Sequence, residues 1–353
     1  MTSPLRDRAH AAPLDNAALA LDNAAPLDRA ALVDNSAPVD NSAPPGNSAP
    51  VDNSAPPGNA APVDAMAPCR PGEYRDERVR VVHRGGGLPE GPLGPVVAST
   101  RHFRLHRDEA RLVVSHRLGR GDVEDALTAL LAEELFRPGL VAEQELFERV
   151  FVGLVRSTVP GGLAAWRTFY RNTFARLHGS AHGPARGLAP VYEYARRLVP
   201  PGRVLDLGSC FGFFPLLLAA ESGYAVTASD VVPGSMRLLS RIAGAEGVPL
   251  STLACDAASV PLRGGAADTV TVLHLLEHLD ADAGAAVLAE AMRLAARRVV
   301  VAVPFEDEPE ACFGHVRRFD SAELARLGTR TGLPFTVAEH HGGWLVVETA
   351  PGA

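Results

Sequence analysis

The sequence predicts an α/β fold over residues 201–353, a mostly parallel sheet covered by helices on both faces. From Gly202 onward, short β-branched runs alternate with segments of helical period, the pattern of strands joined by crossover helices. The first three strands end in glycine or acid, where open α/β sheets hold their ligands. The last two strands meet through Gly342 and Gly343, a connection compatible only with an antiparallel pair.

The elements follow in order. Strands are expected over 203–207, 225–230, 250–255, 269–273, 298–303, 335–340 and 344–348. Helices are expected over 213–221, 235–246, 281–296 and 321–330. Seven strands result, with the final one antiparallel.

Upstream, residues 74–200 read as an accessory α+β region that acts as a lid. β-like stretches at 78–82, 101–106 and 110–115 suggest a small sheet or hairpin. Val123, Leu127, Leu130 and Leu131, then Leu146, Phe147, Val150, Phe151 and Leu154, then Leu163, Trp166, Tyr170, Phe174 and Leu177 repeat at helical spacing. Residues 1–73 hold a hexad repeat from Leu21 to Pro68, such as Val33-Asp-Asn-Ser-Ala-Pro38 and Val39-Asp-Asn-Ser-Ala-Pro44. Proline at nearly every sixth position and few large apolar residues leave little to bury, so disorder is expected there.

Composition narrows the function. A net charge of -7 and a pI near 6.0 provide no basic field for nucleic acid or an anionic membrane. The chain has no lysine, and no stretch approaches membrane-spanning length or a secretory apolar run, so a cytoplasmic protein is expected. Cys69, Cys210, Cys255 and Cys312 lie far apart, without a disulfide framework or zinc-knuckle spacing.

The chemistry gathers at the strand ends. The loop Asp206-Leu-Gly208-Ser209-Cys-Phe-Gly212 runs from strand into helix and can bring backbone N–H groups to a ligand. A dinucleotide fingerprint would ask for glycine where Cys210 stands. Asp230, about twenty residues on, can accept from both hydroxyls of a ribose. Asp256, followed by Ala257, can accept from the exocyclic amine of an adenine. Each acid taken singly is better explained by a helix cap or turn; together with the loop they describe one nucleoside site.

The run from Val204 to Gly212, with Asp230, Asp256 and Asp268-Thr-Val-Thr-Val-Leu-His-Leu-Leu-Glu-His-Leu279, resembles class I methyltransferases. The resemblance implies a Rossmann-like fold and S-adenosyl-L-methionine as cofactor. It implies that Asp206, Gly208, Ser209 and Gly212 hold the methionine part, Asp230 the ribose, and Asp256 with Ala257 the adenine; His274 joins the cofactor set. More narrowly, the segments 206–214, 303–309, 314–320 and 339–344 resemble the mycofactocin oligosaccharide methyltransferases of actinobacteria. That likeness implies O-methylation of a glucose in a peptide-derived cofactor's glycan, and it does not reach residues before Tyr74.

For removing a proton from a sugar hydroxyl, Glu277 and His278 at the end of the fourth strand are the first candidates, and His278 leads because imidazole titrates near neutrality. His315 and His341 come second; a histidine that caps a helix or bonds a backbone carbonyl is an equal alternative for each. His274-Leu-Leu-Glu277-His278 also spells a metalloprotease pattern, but it begins in a strand and implies no third ligand, so no metal is expected. The acidic group Glu306, Asp307, Glu308 and Glu310 reads as a solvated loop at least as well as a cation or sugar site. Trp166, Tyr170 and Trp344 are candidates for a sugar platform, with core packing the plainer reading. An NAD-dependent oxidoreductase and a catalytically silent nucleoside-binding protein are the competing classes. Oligomeric state is not legible in the sequence.

Overall fold

The parallel sheet forms where the sequence places it. The computed structural model describes residues 63, 65–85, 91–108, 110–179 and 187–349. Its larger sheet contains β6 (Gly202–Leu207), β7 (Tyr224–Asp230), β8 (Leu250–Ala254), β9 (Ala267–Leu273), β10 (Ala295–Val303), β11 (Phe335–Glu339) and β12 (Gly343–Glu348). The strand order is β11-β12-β10-β9-β6-β7-β8. β6 to β10 pair in parallel, whereas β12 inserts antiparallel to both β10 and β11. This is the Rossmann-like arrangement expected, closed by an antiparallel strand.

The central strands are apolar on both faces, as sheets covered on both sides require. Val299, Val300, Val301, Ala302 and Val303 of β10 are all buried, as are Val204, Leu205 and Leu207 of β6. The covering helices are α5 (Phe213–Ala219), α6 (Pro233–Glu246), α7 (Ala281–Leu294) and α8 (Ser321–Thr331). Asp280 caps α7 by accepting from the Ala283 amide, and Asp320 caps α8 by accepting from Glu323. α7 runs directly into β10 at Ala295, so that helix is shorter, and the strand longer, than periodicity suggests.

The upstream region is a second sheet with helices. β1 (Glu73–Arg75), β2 (Val79–His83), β3 (Val96–Ser99), β4 (Phe103–His106) and β5 (Leu112–His116) are ordered β1-β2-β5-β4-β3, with β2 parallel to β5. After them come α1 (Leu127–Leu131), a π turn at Ala132–Phe136, α2 (Gln144–Thr158), α3 (Gly162–Gly179) and α4 (Ala189–Leu198). α4 has no counterpart in the expected elements. α2 lies close on β2: a Cβ at Gly153 would stand 2.4 Å from Val81 Cγ2.

From position 61 onward the described residues form one compact unit. One apolar cluster joins Val81, Val114, Leu131, Phe151, Trp166 and Phe169 to Phe213, Leu239 and Ile242 of the larger sheet's helices. Most of the hexad tract, with the disorder expected of it, lies outside the described residues. Its last positions are anchored: the Ala65 carbonyl accepts from Trp166 Nε1 at 2.8 Å and from Arg156 at 2.6 Å. The packed chain therefore reaches back before Tyr74, the boundary expected. Among the described residues, no helix is long and apolar enough to cross a membrane, and the four cysteines are free thiols.

Candidate functional site

The loop after β6 is shaped by contacts that exclude side chains at two positions. Gly208 and Gly212 have φ of +71° and +69°. A Cβ would approach Leu275 to 2.8 Å at the first and Leu239 to 2.3 Å at the second. Cys210 between them adopts φ +50°, uncommon for a residue with a side chain. Its amide donates to Asp230 Oδ2 at 2.9 Å.

Beneath the loop, Asp206 is buried and accepts from Ser209 Oγ at 2.7 Å and from Thr271 Oγ1 at 2.5 Å. Ser229 Oγ donates to the Asp206 carbonyl at 2.9 Å. Burial pushes the Asp206 carboxyl up to about 6, against the pull of the two hydroxyls. Asp206 and Ser209 thus brace the loop from below.

Asp230 ends β7 half-buried. Its Oδ1 accepts from the Val232 amide at 2.9 Å and its Oδ2 from Cys210. Each carboxylate oxygen keeps a second lone pair, so two vicinal hydroxyls can be accepted at once. Asp256 is exposed at the next strand end, with Oδ1 accepting from the Ala258 amide at 2.8 Å, an Asx turn that sets its orientation. Ala257 packs toward the core. Glycine loop, Asp230 and Asp256 accordingly stand at the carboxyl ends of three neighbouring parallel strands, the side on which open α/β sheets hold their ligands.

Two neighbours of this cradle escaped the sequence reading. Val231 is 69 % exposed beside Asp230, an apolar surface suited to a base. Glu148 on α2 has its carboxyl raised by the surrounding protein, and Asp230 adds to the rise while Arg149 opposes it. Glu148 carries no local motif; only the packing of α2 over the loop brings it near Asp230. α3 contributes too: Tyr170 Oη donates to the Phe211 carbonyl at 2.6 Å, and the Phe211 ring packs against Phe151, Trp166 and Phe169.

The end of β9 holds the other group. His274 has φ +53° and its Nδ1 stands 3.3 Å from Glu277 Oε1. Leu276–His278 form one 3-10 turn, so His274 and His278 do not share the helical face that the metalloprotease pattern needs. Glu277 is fully buried, whereas His278 is exposed. His315 comes in from the loop after β10, its ring 4.8 Å from that of His278. Glu306 accepts from His315 Nδ1 at 2.9 Å. The protein around the His278 imidazole lowers its pKa, partly offset by the Glu277 charge.

The three aromatic candidates take the plainer reading, core packing. Trp166 and Tyr170 lie in one buried cluster and Trp344 in another, each about 1 % exposed or less, so they form no shared platform. The acidic loop also divides: Glu306 turns to His315, and Glu310 pairs with Arg137 at 3.0 Å. His341, with φ +51°, lines a cleft of about 500 Å³ together with Tyr192, Arg196 and Phe214. None of the cradle acids lines that cleft.

Residues 204–297 match the family model described as a methyltransferase domain. The strand order above gives the C-terminal region a Rossmann-like fold, over residues 204–297 it is similar to methyltransferase domains, and the cofactor is S-adenosyl-L-methionine. The chain is similar to a SAM-dependent methyltransferase from Aquifex aeolicus, at 17% identity over 49% of this chain and 96% of that one, TM-score 0.39. It is also similar to a SAM-dependent methyltransferase from Methanosarcina mazei, at 16% identity over 44% and 96%, TM-score 0.38. A third is magnesium protoporphyrin IX methyltransferase from Synechocystis PCC 6803, solved with bound SAH, at 17% identity over 50% and 92%, TM-score 0.36. A search of curated proteins returns no match.

Proposed function

We propose that this chain transfers the methyl group of S-adenosyl-L-methionine to a sugar hydroxyl in the cytoplasm, with the mycofactocin oligosaccharide as the acceptor implied by resemblance. The observation that carries the donor assignment is Asp230, whose two oxygens each keep a lone pair beside a glycine loop that excludes side chains. In this reading Asp230 takes the ribose hydroxyls and Asp256 and Ala257 the adenine. The loop from Gly208 to Gly212 borders the methionine part, held in shape by Asp206 and Ser209, and His274 flanks the sulfonium.

The reaction is an in-line displacement, so holding acceptor oxygen, methyl carbon and sulfur collinear provides most of the acceleration. A lone pair of the hydroxyl oxygen attacks the methyl carbon, the carbon–sulfur bond breaks, and its electron pair stays on sulfur. The hydroxyl proton passes to His278, whose lowered pKa keeps it a neutral acceptor at pH 7. Glu277 and His315 are the alternative acceptors at the same position.

Equilibrium titration with S-adenosyl-L-methionine and with NAD tests the donor. Binding of the first and not the second is expected; no binding of the first at millimolar concentration refutes the assignment. Incubation with isotopically labelled donor and glycosylated mycofactocin, followed by mass spectrometry, tests the acceptor. A labelled methyl on the glycan is expected. Transfer to another small metabolite or lipid instead would remove the narrow assignment and leave methyl transfer standing.

A further inference from the structure

The Glu277 carboxyl group is buried and its neighbours do not satisfy it. It is 0 % exposed and neither oxygen accepts a hydrogen bond, with His274 Nδ1 3.3 Å from Oε1 but outside hydrogen-bond geometry. A carboxylate in that state is strongly disfavoured unless a cation faces it. One ligand atom each from Glu277, His278 and His315 lies within 4.8 Å of the others. The His315 imidazole is already held at one nitrogen, its Nδ1 donating to Glu306 at 2.9 Å. Its other nitrogen is left as a lone-pair donor, and a carboxylate behind a histidine is the usual support of a metal-ligating imidazole.

We propose that Glu277, His278 and His315 bind one divalent transition-metal ion. Two imidazole nitrogens and one carboxylate suit zinc or manganese and leave coordination positions open. Glu277 forms the floor of the site, and exposed His278 its mouth, so an ion and an acceptor oxygen can enter from solvent. The catalytic use of the ion rests on the methyl-transfer reading above. The acceptor hydroxyl occupies an open position, its proton leaves to water, and the coordinated oxygen attacks the methyl carbon as the carbon–sulfur bond breaks toward sulfur. His278 is then a ligand, and the metal takes over the activation assigned above to a base.

The test is calorimetric titration of the full chain, stripped with chelator and dialysed, with zinc alone and with manganese alone. One ion per chain is expected. Glu277→Gln, His315→Ala and His278→Ala should each weaken binding at least about 30-fold, and Glu306→Gln about 10- to 100-fold. Circular dichroism in chelator checks that each variant is folded; His278→Ala, at an exposed position, keeps the test decisive if Glu277→Gln fails to fold. Absence of stoichiometric binding, or equal binding by the folded variants, overturns the site. Because no methyl donor is present, a protein that binds the donor but no ion refutes this site alone. One that binds the ion but no donor refutes methyl transfer and leaves the site.

Discussion

Replacing Asp206 with asparagine should change how stability depends on pH in a way that isolates one buried carboxyl. In the folded chain Asp206 is 4 % exposed, and burial raises its pKa from 3.8 to about 6. The folded state therefore holds this proton more tightly than the unfolded chain does. The group's contribution to stability is fully present below pH 3.8 and is lost as pH rises through 6. A difference of this size corresponds to about 3 kcal/mol. Asparagine keeps an oxygen for Thr271 and offers an amide to the Ser209 hydroxyl, so both hydrogen bonds can persist while the titration disappears. Urea unfolding of wild type and Asp206→Asn between pH 4 and 7.5 measures the effect. The variant should gain on the wild type by up to about 3 kcal/mol across that window, while groups common to both cancel. Parallel stability profiles would show that Asp206 is not the strained carboxyl described, and that the loop is braced otherwise.

Other expectations concern the cradle and the proton. Asp230→Ala should weaken binding of S-adenosyl-L-methionine about 100-fold, from the loss of two hydroxyl contacts to a charged acceptor at about 1.5 kcal/mol each. Saturated turnover should change far less, as separate binding and rate measurements would show. His278→Ala should lower turnover about 100-fold or more with donor affinity kept; equal losses of donor affinity in both variants would contradict the assigned roles. With His278 as the base and no ion bound, its lowered pKa should shift the acid-side loss of turnover to lower pH than an unperturbed imidazole would give, as a pH–rate profile would show. Tyr170→Phe removes the hydrogen bond that ties α3 to the Phe211 carbonyl while keeping the buried ring. It should cost about 1–3 kcal/mol in urea unfolding and also weaken donor binding; unchanged stability would mean that α3 does not hold the loop.

The seven strands were legible because each carries its own pattern: β-branched residues between turn residues, ending in Asp206-x-Gly208, Asp230 and Asp256. Gly342 and Gly343 announced the antiparallel closure for the same local reason. The accessory sheet was read only as fragments, since β2 pairs in parallel with β5 and no short turn links them. α4 went unread although Pro190 at its first turn and Val191 and Ala195 on its buried face mark a short amphipathic helix. Cys210 is instructive in another way. A side chain where a dinucleotide loop has glycine speaks against a dinucleotide, yet Cys210 takes the left-handed conformation anyway, and the resulting direction of its N–H reaches Asp230.

Local pattern was enough to give the strands, their mostly parallel sense with an antiparallel end, and the acids at the strand ends, because side-chain period and turn chemistry act over a few residues; the strand order came from the tertiary structure. Packing alone decided the rest. His278 and His315 meet because the loop after β10 folds back on β9, with the Val316 and Arg317 amides donating to the Glu277 carbonyl. Tyr170 reaches Phe211 because burying the aromatic face of α3 outweighs any local preference. Such contacts join residues far apart in the chain, and their energy exists only once the apolar surfaces between them have left water.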